Sequence, residues 1–325
     1  MIKKYIKKIL LKNSFLEKII DYLIVIFIIP SSIVLLVYRK IGSARMANST
    51  KVLKKIGVFP IRDHYYEPQF KYDKQSADFS TDRDLPGIDL NTNEQLELLD
   101  KLNFSQELKI LDLNNNSKFN INNDFFSKGD AEIYYQIIRY TKPNKIVEIG
   151  SGQSTLIALE AIKKNEEENN KTTQLTCVEP YENFWLEDLN IAIIRKKIED
   201  INFDNDKINL DSGDILFIDS SHIIRPQGDV LKLYLEILPK LKSGVIIHIH
   251  DIFTPKNYLN YWIKENVFFW NEQYLLEAFL SHNRDWKIIG ALNYLHNKHY
   301  EKLKSVAPFL KVDPEPGSFY IQKIN

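Results

Sequence analysis

The stretch from Lys145 to Thr155, KIVEIGSGQST, decides the fold of this chain, because an apolar strand opens directly into a glycine turn and a helix. Its first half is the apolar run of a central parallel strand. Gly150 and Gly152 leave room for a ligand to approach backbone N–H groups at the helix start. Glu148 is a carboxylate inside the buried strand, where it needs a partner. The stretch therefore predicts a cradle for a ligand that carries hydrogen-bond donors or a positive charge.

A dinucleotide is the first alternative ligand, since nicotinamide-binding folds also start with a glycine turn after a strand. Their fingerprint is G-x-G-x-x-G. Here Thr155 stands in the place of the third glycine, and Glu148 precedes the first. Both residues disfavour a nicotinamide-dependent oxidoreductase, which stays open as an alternative, as does a tight turn that holds no ligand.

Strands and helices alternate from this segment to the end of the chain. The predicted strands cover 145–149, 174–179, 190–194, 214–219, 244–250, 286–291 and 317–323, and the predicted helices lie near 130–140, 153–164, 228–241 and 268–281. Such alternation is typical of an α/β fold with a parallel sheet covered on both faces. Ligands of these sheets bind at the carboxyl ends of the strands. Polar residues that end strands are therefore the candidate site.

Three predicted strands end in residues that carry chemistry. Glu179 closes the second strand and suits the hydroxyls of a ribose, although a carboxylate there also caps a following helix. Asp219 and His222 follow the fourth strand, and His250 and Asp251 end the fifth. Neighbouring strands thus deliver two carboxylates and two imidazoles to one rim of the sheet.

This rim supports two kinds of chemistry. Asp219 and Asp251 can hold a divalent cation, or they can orient His222 as a general base. A neutral imidazole accepts a proton from a hydroxyl near pH 7. Ordinary hydrogen bonds between histidines and carboxylates are the plainer alternative. His248 lies deeper in its strand and is expected to be a hydrogen-bonded core residue.

Four motifs in this order, EIGSGQST, CVEP, GDILFIDSSH with Asp229 beyond it, and LKSGVIIHIHD, give the chain a family resemblance. The region from Asp130 to the C-terminus resembles the class I S-adenosylmethionine (SAM)-dependent methyltransferases, above all the branch with D-x-x-H after strand 4 and H-D after strand 5. The resemblance implies a Rossmann-like, mostly parallel sheet with an antiparallel last strand. It also implies O-methylation of a sugar, glycan or other hydroxylated natural product.

The resemblance assigns roles to individual residues. Glu179 would grip the ribose of SAM, while Asp219, which also contacts the cofactor, His222 and Asp251 would form the methyl-transfer centre. Metal-dependent catechol-type relatives carry Asp-Asn after the fifth strand, whereas this chain has Asp251-Ile252. A magnesium ion on Asp219 and Asp251 is therefore an open expectation. The glycine turn would hold the rest of SAM, its methionine part in particular, through Glu148, Gly150, Ser151, Gly152 and Ser154.

Overall composition limits the partners of the chain. Its 325 residues suit one main domain with extensions, and 43 basic residues balance 43 acidic ones. No global field attracts nucleic acid, which is not an expected partner. Cys177, the single cysteine, is expected to be a small core residue.

The N-terminus predicts contact with a membrane lipid. We divide the chain into a membrane segment (1–40), a connector and cap region (41–127) and a methyltransferase domain (128–325). The first segment joins a lysine-rich amphipathic stretch to an uncharged run, Tyr22–Tyr38. Basic residues flank both ends of the run, so a hairpin bent at Pro30 competes with a single span. The catalytic domain is expected on the cytoplasmic face.

The acceptor is predicted from the anchor and from one aromatic stretch. Trp270, Glu272 and Tyr274 could line a carbohydrate site, or the helix that they start could pack into the core. Together with the anchor, they favour methylation of a sugar on a membrane-linked glycan or glycolipid precursor. A membrane-tethered binding module without catalytic activity is the alternative from another class.

Overall fold

The computed structural model describes residues 14–61, 67–68, 78–113, 117–126, 128–181, 183–202 and 208–325. The chain divides into two compact units, Met1–Ala77 and Asp78–Asn325. Part of the predicted connector, from Asp78 onward, thus belongs to the same unit as the sheet. The lysine-rich stretch before Ser14 lies outside the described residues.

The first unit contains two helices, α1 (Ser14–Ile41) and α2 (Ala47–Ile56). Helix α1 continues through Pro30, so the hairpin alternative is wrong for these residues. Among the described residues it is the one helix long and apolar enough to cross a membrane. At about 1.5 Å per residue, it exceeds the roughly 30 Å of a bilayer core. Membrane anchors and signal sequences share this length and composition.

The second unit is built on a seven-stranded sheet with the order β3-β2-β1-β4-β5-β7-β6. Strands β1 to β5 are parallel, and β7 runs antiparallel to both of its neighbours. This confirms the predicted fold class. The strands are β1 (Lys145–Ile149), β2 (Gln174–Val178), β3 (Ala192–Ile194), β4 (Ile215–Ile218), β5 (Ile246–Ile249), β6 (Trp286–Ala291) and β7 (Phe319–Lys323).

Helices cover both faces of the sheet. They are α3 (Thr92–Lys101), α4 (Ser105–Leu113), α5 (Asp130–Thr141), α6 (Gln153–Asn169), α7 (Asp229–Lys232), α8 (Asn260–Lys264), α9 (Glu272–Leu280), α10 (Leu292–Lys298) and α11 (Tyr300–Val306). Helix α7 continues as a π-helical turn, Leu233–Ile237, and a 3₁₀ turn, Leu238–Lys240. The asparagine-rich composition of segment 113–124 predicts an exposed loop, but the structure buries Phe119 and Ile121 of this segment.

Two hydrophobic clusters fix the sheet from either side. Side chains of successive strand residues alternate between them, so Ile146 and Phe217 face one cluster while Val147 and Leu216 face the other. Each fully buried aliphatic side chain contributes about 1.5–3 kcal/mol. The carboxyl ends of β1, β2, β4 and β5 therefore sit on a rigid base, and the functional residues lie there.

Candidate active site

The glycine turn is wedged between the ends of β2 and β4. Gly150 N donates to Val178 O at 3.0 Å, and Asp219 N donates to Ile149 O at 2.8 Å. Gly150 has φ +79°, and a Cβ on it would lie 2.2 Å from the backbone oxygen of Asp219. Only glycine fits there, because the conformation and the space both exclude a side chain. The turn thus brings the first strand against the Asp219 loop.

A cavity of about 260 Å³ opens beside this turn. Asn183 supports its wall, because its Nδ2 donates to Ser151 O at 2.7 Å while its Oδ1 accepts from Trp185 Nε1 at 3.1 Å. The buried Ser151 Oγ has no hydrogen-bond partner among the residues that the structure describes. These features fit a polar cofactor. The lining consists of Phe125, Phe126, Ser151, Gly152, Gln153, Ser154, Asn183, Trp185 and Asp219.

Asn183 and Trp185 were missed by the sequence reasoning. Asn183 adopts φ +57°, a conformation that asparagine tolerates better than most residues. An asparagine shortly after the second strand, in PYEN, was the available signal.

The buried carboxylate of Glu148 is hydrogen-bonded to Thr155. Thr155 Oγ1 donates to Glu148 Oε2 at 2.6 Å and accepts from Gly152 N at 3.1 Å. Tyr134 Oη and Cys177 Sγ face the same carboxylate at 3.4 and 3.6 Å. Burial raises the pKa of Glu148 to about 7, and these hydrogen bonds limit the rise. The threonine that breaks the dinucleotide fingerprint therefore orients the buried acid.

Glu148→Gln is expected to change how stability depends on pH in the cofactor-free protein. Since the folded pKa is raised, folded protein holds this proton more tightly than unfolded protein, so wild-type stability falls as pH rises through that range. The advantage of the variant should grow by about 3 kcal/mol between pH 4.5 and about 7. Thermal denaturation of both proteins at pH 5 and pH 8 measures it. An identical gap at both pH values would contradict the assignment.

Glu179 lies beside the glycine turn. Its Oε2 accepts from Ser151 N at 3.3 Å, and its Oε1 accepts from Tyr181 N at 3.0 Å. The second bond is of the local, turn-capping kind. Its position at the carboxyl end of β2 is the one expected of a ribose ligand, and that role stays a prediction.

The structure brings together the three predicted catalytic residues. His222 Nε2 lies 3.2 Å from Asp219 Oδ1 and 3.6 Å from Asp251 Oδ2. His222 is 4% exposed and has φ +58°. Its loop is fixed by Asp229, which accepts from Ser221 N and Ser221 Oγ, both at 2.7 Å. The D-x-x-H motif is thus a preorganised unit.

Glu272 has a different place from the predicted one. It is fully buried, and its Oε2 lies 2.9 Å from His222 Nδ1 and accepts from Ser220 Oγ at 2.7 Å. It therefore orients His222, and its complete burial does not support the predicted acceptor-binding role. Sequence reasoning missed this role because the two residues are brought together by backbone bonds from Asn271 N and Glu272 N to His222 O, at 2.8 and 3.1 Å.

The other two predicted acceptor residues differ in their distance from the centre. The ring of Trp270 lies 4.3 Å from that of His222, stacks on Phe268 at 4.7 Å and contacts Trp262 at 5.0 Å. Tyr274 is further along this surface, where its Oη donates to Asn257 Oδ1 at 3.0 Å. We refer to Trp262, Phe268 and Trp270 as the aromatic wall.

The two histidines at the carboxyl end of β5, His248 within the strand and His250 just after it, have separate roles. His248 is fully buried, bonded through Nε2 to Ser318 Oγ at 2.8 Å and stacked on Tyr320, as expected of a core residue. His250 Nδ1 faces Asp219 and Asp251 at 3.8 and 3.6 Å. That buried nitrogen has no hydrogen-bond partner within the described part of the chain.

Charge is concentrated at this centre. Burial disfavours a charged imidazole, but hydrogen bonds to Asp219 and Glu272 and the charge of Asp251 raise the pKa of His222 to about 10. Burial also opposes ionisation of Asp219, yet the hydrogen bond from His222 and the nearby charges of His250 and His222 hold its pKa well below the usual range. The raised pKa favours a protonated His222 at neutral pH in the ligand-free site, whereas the sequence-based expectation was a neutral imidazole.

The donor set fits a divalent cation. One ligand atom from each of Asp219, His222 and Asp251 lies within 4.8 Å of the others. His250 Nδ1, which has no hydrogen-bond partner among the described residues, lies beside the same carboxylates and is a further possible metal ligand. Carboxylates suit magnesium and manganese, whereas imidazole suits later transition metals.

Comparison with known proteins identifies the class. Residues 147–252 match a family model described as a methyltransferase domain. The chain therefore contains a methyltransferase domain, as its motifs predict, and SAM is the methyl donor that this class of domain uses. It is 32% identical over 161 residues to an uncharacterized protein of Archaeoglobus fulgidus, a match that covers 46% of this chain and 70% of that protein.

The solved structures similar to this chain include two methyltransferases. One is CmcI with Mg and SAM, at 12% identity and a TM-score of 0.37, covering 62% of this chain and 73% of that one. The other is the plantazolicin methyltransferase BpumL with a pentazolic desmethylPZN analog and SAH, at 17% identity and a TM-score of 0.37, covering 73% and 100%.

Proposed function

We propose that this enzyme transfers the methyl group of SAM to a hydroxyl of a sugar on a membrane-linked glycan or glycolipid precursor, at the cytoplasmic face of a membrane. The observation that carries the proposal is His222 between Asp219, Asp251 and Glu272, next to the glycine-turn cavity. An oxygen nucleophile needs a base at this position, whereas an amine or thiol depends on one less.

In this mechanism the protein mainly aligns SAM with the acceptor and deprotonates the acceptor hydroxyl. SAM supplies a methyl group already activated by its positive sulfur. The glycine turn, braced by buried Glu148 through Thr155, would hold the methionine end, and Glu179 would hold the ribose. Alignment of the two reactants lowers the barrier. His222 Nε2 takes the acceptor's proton, and Glu272 fixes the ring through Nδ1. The positive charge of bound SAM or of a cation beside Asp219 and Asp251 would lower the pKa of His222 toward the range that a base requires.

A divalent cation would be held by Asp219 and Asp251, with His250 as the nearest further donor. There it would supply electrostatic stabilisation of the developing alkoxide. If the site uses a metal, dialysis against EDTA should abolish methyl transfer, and magnesium or manganese should restore it. Full activity in EDTA would show that the histidine–carboxylate pairs of this centre work without a metal ion.

The aromatic wall supports a carbohydrate acceptor. Trp270 lies against His222, and Phe268 is 39% exposed. Aromatic faces of this kind pack on the apolar faces of sugar rings and leave the sugar hydroxyls free for hydrogen bonds. Helix α1 supports a membrane-linked acceptor, since an anchored enzyme meets such substrates at high local concentration.

Methyl transfer to membrane lipids tests the proposal. Full-length protein, tritium-labelled SAM and a membrane glycolipid extract of the source cells are incubated, and mild acid then releases the lipid-linked sugars. Label in the released sugars is the expected result. Label confined to protein would contradict the acceptor class, and SAM binding without any transfer would favour a binding module.

A further inference from the structure

Helix α2 has two chemically opposite faces. At 3.6 residues per turn, Lys51, Lys54 and Lys55 share one side, while Val52 and Ile56 share the other. None of the residues of α2, all of which the structure describes, is buried. Val52 is 56% exposed and Ile56 67% exposed. An apolar face this open requires a cover, and the described residues of the first unit do not provide one.

The turn before α2 is pinned to the end of α1. Thr50 Oγ1 donates to Ser43 O at 2.7 Å, and Tyr38 Oη lies 2.7 Å from the same hydroxyl. Tyr38 is 6% exposed, and Gly42 adopts φ +103°, which allows the sharp change of direction. Helix α2 is therefore a fixed element at the carboxyl end of α1.

An apolar groove of about 570 Å³ lies between the two helices. Val34, Val37, Met46, Val52 and Leu53 are among its lining residues. The segment after α2 extends the apolar surface, with exposed side chains at Val58, Phe59 and Ile61.

The segment from the end of α1 to Ile61 carries only positive charges. Between Lys40 and Ile61 the sequence contains Lys40, Arg45, Lys51, Lys54 and Lys55 and no acidic residue. Clusters of cations beside a membrane helix bind anionic headgroups, at about fivefold in affinity per lysine or arginine. An acidic protein surface would neutralise the lysines and leave the opposite, apolar face uncovered. A bilayer surface satisfies both faces at once.

We propose that α2 is an interfacial helix that lies along an anionic bilayer surface, with its apolar face in the acyl boundary, an acyl chain of an anionic phospholipid in the groove, and its lysines at the phosphates. The inference rests on the proposed membrane anchoring by α1. It adds a specific lipid contact to that anchor.

Site-directed spin labelling of the full chain tests the proposal. The native Cys177 is buried, so single cysteines introduced by Ile56→Cys, Lys55→Cys and Val312→Cys carry the nitroxide. Val312 is 73% exposed and serves as the aqueous control. Each protein is reconstituted into phosphatidylcholine vesicles with or without phosphatidylglycerol. Collision rates with oxygen and with a water-soluble nickel complex report the depth of the label.

At Ile56 we expect oxygen collisions several-fold above the Val312 control and suppressed nickel collisions, more so with phosphatidylglycerol. Lys55 should stay accessible to nickel. Substituting Lys51, Lys54 and Lys55 by glutamine in the Ile56→Cys protein should remove the phosphatidylglycerol effect. Nickel access at Ile56 equal to the control would overturn the interfacial position, and an unchanged lipid effect in the triple variant would overturn the role of the lysines.

The anchor itself is tested separately. Protein that alkaline carbonate extracts from the vesicles lacks the membrane anchoring, and the inference then fails together with that part of the proposed function. Protein that stays in the vesicles with a water-exposed Ile56 contradicts the interfacial helix alone.

Discussion

Replacing His222 by alanine is expected to lower kcat for methyl transfer about 10²- to 10⁴-fold, the usual contribution of a general base. The dissociation constant of SAM should stay within a few-fold of wild type, because the ring faces Asp219 and Asp251 and does not line the glycine-turn cavity. Initial rates on the glycolipid extract at saturating SAM, with calorimetry for SAM, measure the two quantities. Unchanged turnover would remove His222 from the mechanism.

Glu272→Gln is the matched control for this centre. The amide keeps the size of the side chain and an oxygen for His222 Nδ1, but it removes the charge. We expect a smaller loss of about 10- to 100-fold, the usual effect of a supporting hydrogen-bond partner. Because Glu272 raises the pKa of His222, its loss should also shift the acidic limb of the pH–rate profile to lower pH. A merely structural glutamate would leave that limb in place.

Gly150→Ala is expected to abolish SAM binding and to destabilise the second unit by about 2–5 kcal/mol. The new Cβ would lie 2.2 Å from the Asp219 backbone oxygen, at a φ of +79° that alanine disfavours. Since a backbone atom cannot rotate away, either the turn or the Asp219 loop must move. Thermal denaturation and SAM calorimetry on the full chain measure both effects.

Gly213→Ala separates conformational strain from the clash. Gly213 has φ +86°, but a Cβ there meets nothing within 4 Å. It should cost only about 1–2 kcal/mol for the left-handed conformation and leave SAM binding intact. A Gly150→Ala protein that binds SAM as well as the Gly213→Ala protein would show that the turn does not form the cofactor site.

Much of the fold could be predicted from local patterns. The apolar runs of β1, β4 and β5 have the strand period and are bounded by glycine or polar residues, so the predicted and observed strands nearly coincide. The predicted hairpin at Pro30 was wrong. A single proline removes only one backbone hydrogen bond, and a long apolar helix tolerates that loss. The burial of Phe119 and Ile121 was not predicted, because their segment is rich in asparagine and two isolated apolar residues give only a weak signal of burial.

The sequence alone determined the glycine turn, the fold class and the positions of Glu148, Glu179, Asp219, His222 and Asp251, because each follows from the end of a strand whose place in a parallel sheet is constrained. Only the tertiary structure decided which side chains meet. Glu272 lies 50 residues beyond His222, and Thr155 lies on a helix above Glu148. Their hydrogen bonds depend on how loops and helices pack over the sheet, and no periodicity along the chain encodes that packing.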